Sequence, residues 1–416
     1  MSAVVLDFGS DTVKAGFAGE EAPLSVFPSV VARPRHGAVI NSGDPAFYVG
    51  YASSALRISL VIHVTRDEAL SHRPGWTIRR SIEGGIVHVQ NWDDMEQLLA
   101  HSFRELNVAS DAISPVLIAV PAQASPQHQT KLAQIIFEEL SAPALGLQPS
   151  ASLSLLSAGL ESGVVLESGH TTTVAVPIHE GHILHDAVRS VGYAGQEITD
   201  LILHLLVREQ GMHFAADDRS ARAVVEELKH RKCYVAANYH EEVKCIPRLV
   251  KTEHTDSLSY ELPDGQIVTM GSTRFVAPEA LFQPSILGLD QPGITHLVYG
   301  AISHTPAALR ASLLGNVLLS GGNTLFPGLA NRLAAELVDV VSPDMRAEVN
   351  IHALPERRYL PWIGGSIFAA QNTFDKACLT KAEYDELGLR LPAGPPGVCA
   401  EYVLNQSIID INAGGG

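Results

Sequence analysis

The sequence predicts an α/β protein in which two related lobes face each other across a ligand cleft. Three observations carry this reading. Strand-like and helix-period runs alternate along the 416 residues, a unit of strand, acid and glycine turn occurs twice, and two further glycine pairs follow in the second half.

The size and composition agree with more than one core: 46% of the 416 residues are hydrophobic. A formal charge of −16, from 29 basic and 45 acidic residues, excludes a general phosphate-backbone binder, since no basic arm or stripe accompanies it. No nucleic-acid partner is expected. Cys233, Cys245, Cys378 and Cys399 show no close metal spacing and read as reduced thiols of an intracellular protein. The start, MSAVVLDFGSD, has no basic region before its apolar run and reads as a strand rather than a signal peptide. No apolar run approaches the ~20 residues of a membrane helix, so no membrane partner is expected.

Three helices are legible. Asn91 caps a run with acids in its first turn and apolar residues at Met95, Leu98, Leu99 and Phe103. Ser125-Pro126 is a cap followed by proline at the first helical position, ahead of Leu132, Ile135, Ile136 and Leu140. Ile198, Leu201, Ile202, Leu205 and Leu206 form a stripe that stops at Gly211. The internal repeat sets Val4-Val5-Leu6-Asp7-Phe8-Gly9-Ser10 beside Val164-Val165-Leu166-Glu167-Ser168-Gly169-His170. Duplication of such a unit places two acid-bearing turns across a cleft, where ligands sit. Ser320-Gly321-Gly322-Asn323 and Gly364-Gly365-Ser366 each follow a strand-like run and are expected to begin helices, with room for an anion at the helix start. From Leu391 to Gly416 the composition shifts to proline and glycine, giving an extension or a docking strap.

Seven motifs then give a family. DFGSDTVKAGFAG (Asp7–Gly19), NWDDME (Asn91–Glu96), PIHEG (Pro177–Gly181), YELPDGQ (Tyr260–Gln266), PEALFQPSILG (Pro278–Gly288), LSGGNTLFPG (Leu319–Gly328) and WIGGSI (Trp362–Ile367) resemble the matching stretches of actin in the same order, covering about Val4 to Leu389. The resemblance implies the duplicated actin, Hsp70 and sugar-kinase clamp, which is ribonuclease H-like, with two lobes and four subdomains around a nucleotide cleft. It divides the chain into residues 1–33, 80–157 and 362–390 (subdomain 1), 34–79 (subdomain 2), 158–195 and 276–361 (subdomain 3), 196–275 (subdomain 4) and a C-terminal extension over 391–416.

The resemblance implies ATP or ADP with Mg²⁺ as cofactor, its phosphates held by two hairpin turns and a lysine and its cation held by an acid on each side. The first turn supplies Asp7, Gly9, Ser10 and Lys14, the second Glu167, Ser168 and Gly169, with Asp7 and Glu167 toward the metal. The adenosine side is Lys229, Gly321, Gly322, Leu325 and Phe326, with Arg358 where the family has lysine. Gln283 to Thr295 corresponds to the hydrophobic loop used in filament contacts.

Departures from the pattern cluster on catalysis. The second turn reads Glu167-Ser168-Gly169-His170-Thr171 where the family has acid-Ser-Gly-Asp-Gly, and threonine resists the positive φ that glycine accepts. Asp11 replaces a glycine and is expected to repel a nucleotide unless its side chain turns away. The glutamine that aims the attacking water falls at Ser150, with Gln148 as the alternative if the loop is re-registered. A histidine of the same water network falls at Val174, the sensing histidine beside the hinge at Gly84, and the ribose glutamate at His230. A weakened or absent ATPase follows, because hydrolysis needs positioned water and stabilised charge. His179, His182 and His185 invite a zinc reading, but alternation on a hairpin turns them apart, and ordinary surface histidines are the expectation.

The expected function is therefore a divergent actin-related protein, a structural or scaffold subunit of a cytoskeletal, motor-associated or ciliary assembly, whose partners are other protein subunits, including actin or actin-related proteins. His182 and Gln371 alter the groove between the lower subdomains, and an insertion over Ser59 to Trp76 offers a private interface. The alternatives are a conventional ATP-dependent filament-forming actin and a nuclear chromatin-remodelling subunit. No basic nuclear-localisation cluster favours the latter, so the expected location is cytoplasm, cytoskeleton or cilium.

Overall fold

A computed structural model describes residues 2–34, 48–49, 76–80, 82–83, 86–87, 92–108, 114–210, 219–244, 259–261 and 267–387. Gly84, most of the 59–76 insertion and the extension beyond Leu391 lie outside the described residues. Among those described, two mixed sheets dominate. The first runs Leu379–Thr380, Ala144–Pro149, Val116–Val120, Val4–Phe8, Thr12–Phe17, Ser25–Pro28 in spatial order. The second runs His182–Ile183, Thr173–His179, Gly163–Ser168, Val317–Ser320, Ile351–His352, with Arg189–Val191 also on Thr173–His179.

The repeat read from sequence is a structural repeat. Val4–Phe8 and Gly163–Ser168 each form an antiparallel hairpin with the next strand, Asp7 facing Lys14 in one and Glu167 facing Val174 in the other. Each also pairs in parallel with a later strand, Val4 beside Val116 and Val164 beside Val317. Both turns close by the same bond, Gly9 N–H to the Thr12 carbonyl at 3.1 Å and Gly169 N–H to the Thr172 carbonyl at 3.0 Å. Side-chain parity is conserved between the copies. Val4, Leu6 and Phe8, like Val164 and Leu166, enter the two large outer cores, while Val5 and Val165 enter smaller inner clusters.

Between the sheets lie the helices Ser150–Ser157 and Leu360–Ala369. Leu153 packs with the first sheet's inner cluster, and Ala151 and Leu155 with the second's. Trp362, fully buried, donates its indole N–H to the Val5 carbonyl at 2.9 Å. Here the expectation for Gly364-Gly365 fails. Both glycines lie inside the helix Leu360–Ala369, not at a strand-to-helix turn. A Cβ on Gly364 would run into the Leu153 carbonyl, and one on Gly365 would come within 2.9 Å of Val5 Cγ1. These glycines serve close packing, not ligand approach. Gly322 likewise opens only a short 3-10 turn, Gly322–Leu325, and the following α-helix starts at Leu329.

The three legible helices form, with one change of pitch, while the expected cap Asn91 and stop Gly211 lie outside the described residues. Trp92–Glu105 buries Met95, Leu98, Leu99 and Phe103, and its first-turn Asp94 is a buried partner of Arg33 at 2.6 Å. Ser125 Oγ accepts the His128 N–H at 3.2 Å, but the helix it caps turns into a π-helix at Ile135–Glu139. The wider turn lets three consecutive residues, Ile135, Ile136 and Phe137, reach the core. Gly195–Gln210 fully buries Ile198, Ile202 and Leu206 on a single stripe.

Candidate functional site

The two hairpin turns and the Gly321-Gly322 turn border a cavity of about 400 Å³, within the span of small-molecule sites. Asp7, Gly9, Ser10, Lys14, Glu167, Gly169, Lys229, Gly321, Gly322, Leu325, Phe326 and Arg358 line it, together with Ser150, His170 and Val174. Ser168 does not. Its buried hydroxyl is engaged by Thr173 Oγ1 at 2.8 Å and by the Asn323 amide at 3.0 Å. Gly321 has φ of 90°, and a Cβ there would strike the Ser168 carbonyl, so this glycine is demanded by the meeting of two backbones.

The paired acids of the repeat face the cavity in unequal states. Asp7 is bridged to Lys14 at 3.0 Å. Among the described residues no cation pairs with Glu167, and Val174 occupies the register position that Lys14 holds in the first hairpin. Burial pushes the Glu167 carboxyl up to about 7, the Ser150 hydroxyl and Lys14 pulling it down and Asp7 adding to the rise. Ser150 Oγ donates to Glu167 Oε2 at 3.0 Å. Gln148, the alternative water-aiming residue, lies within the strand Ala144–Pro149, is fully buried and is not among the residues lining the cavity.

Two expected liabilities of the turns are resolved by the structure. Thr171 does not take positive φ, and it donates Oγ1–H to Ser10 Oγ at 3.0 Å, tying one turn to the other. Asp11 does not stand as a free charge, for Arg80 Nη1 lies 3.1 Å from its carboxylate and Arg358 Nη2 4.0 Å. Burial works against its ionisation, and the cationic form of His170 with the Arg80 and Arg358 guanidinium groups outweighs that, holding the carboxyl down at about 2. Lys229 is directed toward its own lobe, donating to the Gly195 carbonyl and to Thr199 Oγ1, each at 2.9 Å. His179 pairs with Ser162 and His182 with the Glu180 carbonyl. Among the described residues no group of three His, Cys, Asp or Glu side chains is placed to hold a metal ion.

Sequence reading missed Glu226 and Arg80. Glu226 precedes Lys229 by three on the helix Arg219–Lys232 and lines the same cavity, so helical spacing from Lys229 marks it. Arg80 closes the strand Trp76–Arg80, with no motif around it to single it out.

A family model described as Actin matches residues 1–392. The chain belongs to the actin family. Its two sheets, with the duplicated hairpins and the cavity between them, are the two-lobed fold of that family, whose members generally bind ATP or ADP with Mg²⁺. The cleft of this actin-family chain has polar atoms that suit such a guest. His170 Nε2, Glu226 Oε1 and Asn323 Oδ1 are buried at the cavity without a protein partner, and a buried polar atom left this way is costly.

His170 makes the cleft acid-sensitive. Burial, then Arg80, drives its imidazole from 6.5 down to about 3, against the pull of Asp11. The folded group therefore resists a proton that the unfolded chain accepts, so stability present above 6.5 is lost as pH falls toward 3. Near pH ~5 the loss amounts to about 1–2 kcal/mol, discounted for partial solvent contact. A His170→Gln variant should lose correspondingly less stability than the parent between neutral pH and pH ~5 in urea titrations.

Proposed function

We propose that this actin-family chain is a structural subunit whose clamp holds a nucleotide without hydrolysing it, in a cytoskeletal, motor-associated or ciliary assembly in the cytoplasm. One observation carries the reading. At the two positions where the family arranges its attacking water, Val174 offers an alkyl group and the hydroxyl of Ser150 is spent on Glu167. Val174 has no polar atom for a water, and Ser150, its proton committed to Glu167, keeps only acceptor lone pairs on a short side chain in place of an amide. The water therefore loses much of its orientation and the catalytic gain that depends on it.

In this reading Asp7 and Glu167 take the divalent cation, Lys14 faces phosphate, and Glu226, Lys229 and His230 stand at the ribose end. Bound Mg²⁺ supplies positive charge between the acids. A cation there would stabilise the ionised form of Glu167 and displace the proton that burial favours, so its binding should tighten as pH rises through about 7. Leu325 and Phe326 offer apolar surface to a base.

Purified protein given Mg-ATP should release no phosphate above the uncatalysed background at any protein concentration, and should not sediment as filaments by itself. Affinity capture of tagged protein should recover a discrete set of cytoskeletal subunits. Phosphate release that rises above a critical concentration would identify a conventional filament-forming actin instead, and recovery with chromatin remodellers a nuclear subunit.

A further inference from the structure

We propose that Asp11 sets the ligand preference of the cleft, its carboxylate standing in for a terminal phosphate so that the site takes a nucleoside diphosphate over a triphosphate. The proposal rests on the reading of this cleft as a nucleotide site. Its ground is the company Asp11 keeps.

Asp11 sits in the tip of the first turn, between Ser10 and Thr12, in a hairpin whose closure is fixed by the Gly9–Thr12 bond at 3.1 Å. From there it gathers cations from separate elements. Arg80 reaches it at 3.1 Å from the strand Trp76–Arg80 and also donates to the Ser10 carbonyl at 3.2 Å. Arg358 approaches to 4.0 Å from the segment leading into the helix Leu360–Ala369. A carboxylate that collects two guanidinium groups at the mouth of a phosphate turn fills the role that phosphate oxygens fill with arginines. The tips of the two turns are joined as well, through Thr171 Oγ1–H on Ser10 Oγ at 3.0 Å. Hydroxyls that would otherwise face an anion face each other.

The charge is permanent at physiological pH, because Arg80 and Arg358 help hold the carboxyl at about 2 against the effect of burial. A third phosphate entering between the turns meets this fixed negative charge and must also draw Arg80 and Arg358 away from it. A diphosphate, one group shorter, leaves the arrangement intact.

The test uses full-length protein freed of nucleotide and titrated calorimetrically with Mg-ADP and Mg-ATP. The parent should bind ADP at least about tenfold more tightly than ATP, the change that ~1.4 kcal/mol produces. Asp11→Asn and Asp11→Gly should raise ATP affinity to equal or exceed that of ADP, with ADP affinity held within a factor of ~3. Without nucleotide, Asp11→Asn should melt at a lower temperature than the parent, and ATP should restore it more than ADP does. Equal or tighter ATP binding by the parent, or an unchanged ADP-to-ATP ratio in both variants, overturns the proposal while leaving the nucleotide site standing. Failure of parent and variants alike to bind either nucleotide overturns both.

Discussion

Gly364→Ala should lower the urea midpoint sharply, with a net loss of at least about 3 kcal/mol, although alanine is the better helix former by ~1 kcal/mol. Space decides the sign. The added Cβ overlaps the carbonyl of Leu153 and approaches its Cα to 3.0 Å, both part of the rigid backbone of the helix Ser150–Ser157. Relief requires the helices to separate, and the helix carrying Gly364 also carries Trp362, whose N–H is fixed on Val5 at 2.9 Å. Because this helix pair is the layer between the sheets, the separation would spread to the cleft. Gly322→Ala is the matched control. Its nearest foreign atoms are 3.9 Å away on the flexible Arg358 side chain, so it should fall within about 0.5 kcal/mol of the parent. A Gly364→Ala midpoint at or above the parent's would remove the close-packing account.

Gly364 also shows where sequence and structure part. The strand-acid-turn unit was legible because two local signals coincide at each copy, a buried apolar run broken only by its acid and a glycine in the turn that follows. Yet neither Gly9 nor Gly169 takes positive φ, and a Cβ on Gly169 would meet nothing nearer than 3.8 Å. Hence Asp7, Gly9, Glu167 and Gly169 fall on the cavity. A glycine pair has no such redundancy. Between strand and helix it opens a backbone, and inside a helix it admits a neighbour, and the local pattern at Trp362-Ile363-Gly364-Gly365 fits both. The partner that decides, Leu153, lies far away in sequence.

Electrostatic pairing was hidden for the same reason. Asp11 read as a liability because its neutralising partners, Arg80 and Arg358, come from separate elements with no motif in common. Thr171 read as strain because the family's glycine implied a positive φ, whereas this turn closes through Gly169 and Thr172 without one. Glu226 was legible in principle from its spacing to Lys229, and the aligned family motif drew attention to His230 instead.

Arg332→Ala should cost about 3–5 kcal/mol, the loss typical of removing one partner from a buried ion pair. Arg332 is 11% exposed and lies 3.0 Å from Glu279, whose side chain is fully buried, and 2.6 Å from Glu336. It also donates to the Ala236 carbonyl at 2.8 Å and covers the Phe282 ring at 5.0 Å. Burial already raises the Glu279 carboxyl, with Arg332 and the Gln283 amide opposing the rise. Without the arginine the carboxyl rises further, so the folded variant favours the protonated acid and its deficit should shrink as pH falls. Replacing the pair together, Arg332→Met with Glu279→Leu, should recover most of the loss.

The consequence reaches the Gln283–Thr295 segment, for which the sequence resemblance implies filament contacts. Gln283 Nε2 donates to Glu279 at 2.8 Å and Thr295 Oγ1 to Glu336 at 2.7 Å, so both ends of the Gln283–Thr295 segment hang on acids held by one guanidinium. Hydrogen exchange in Arg332→Ala should therefore accelerate across that segment before it does in the helix Leu360–Ala369. Uniform acceleration through both would mean that Arg332 supports the whole lobe and has no particular hold on the loop.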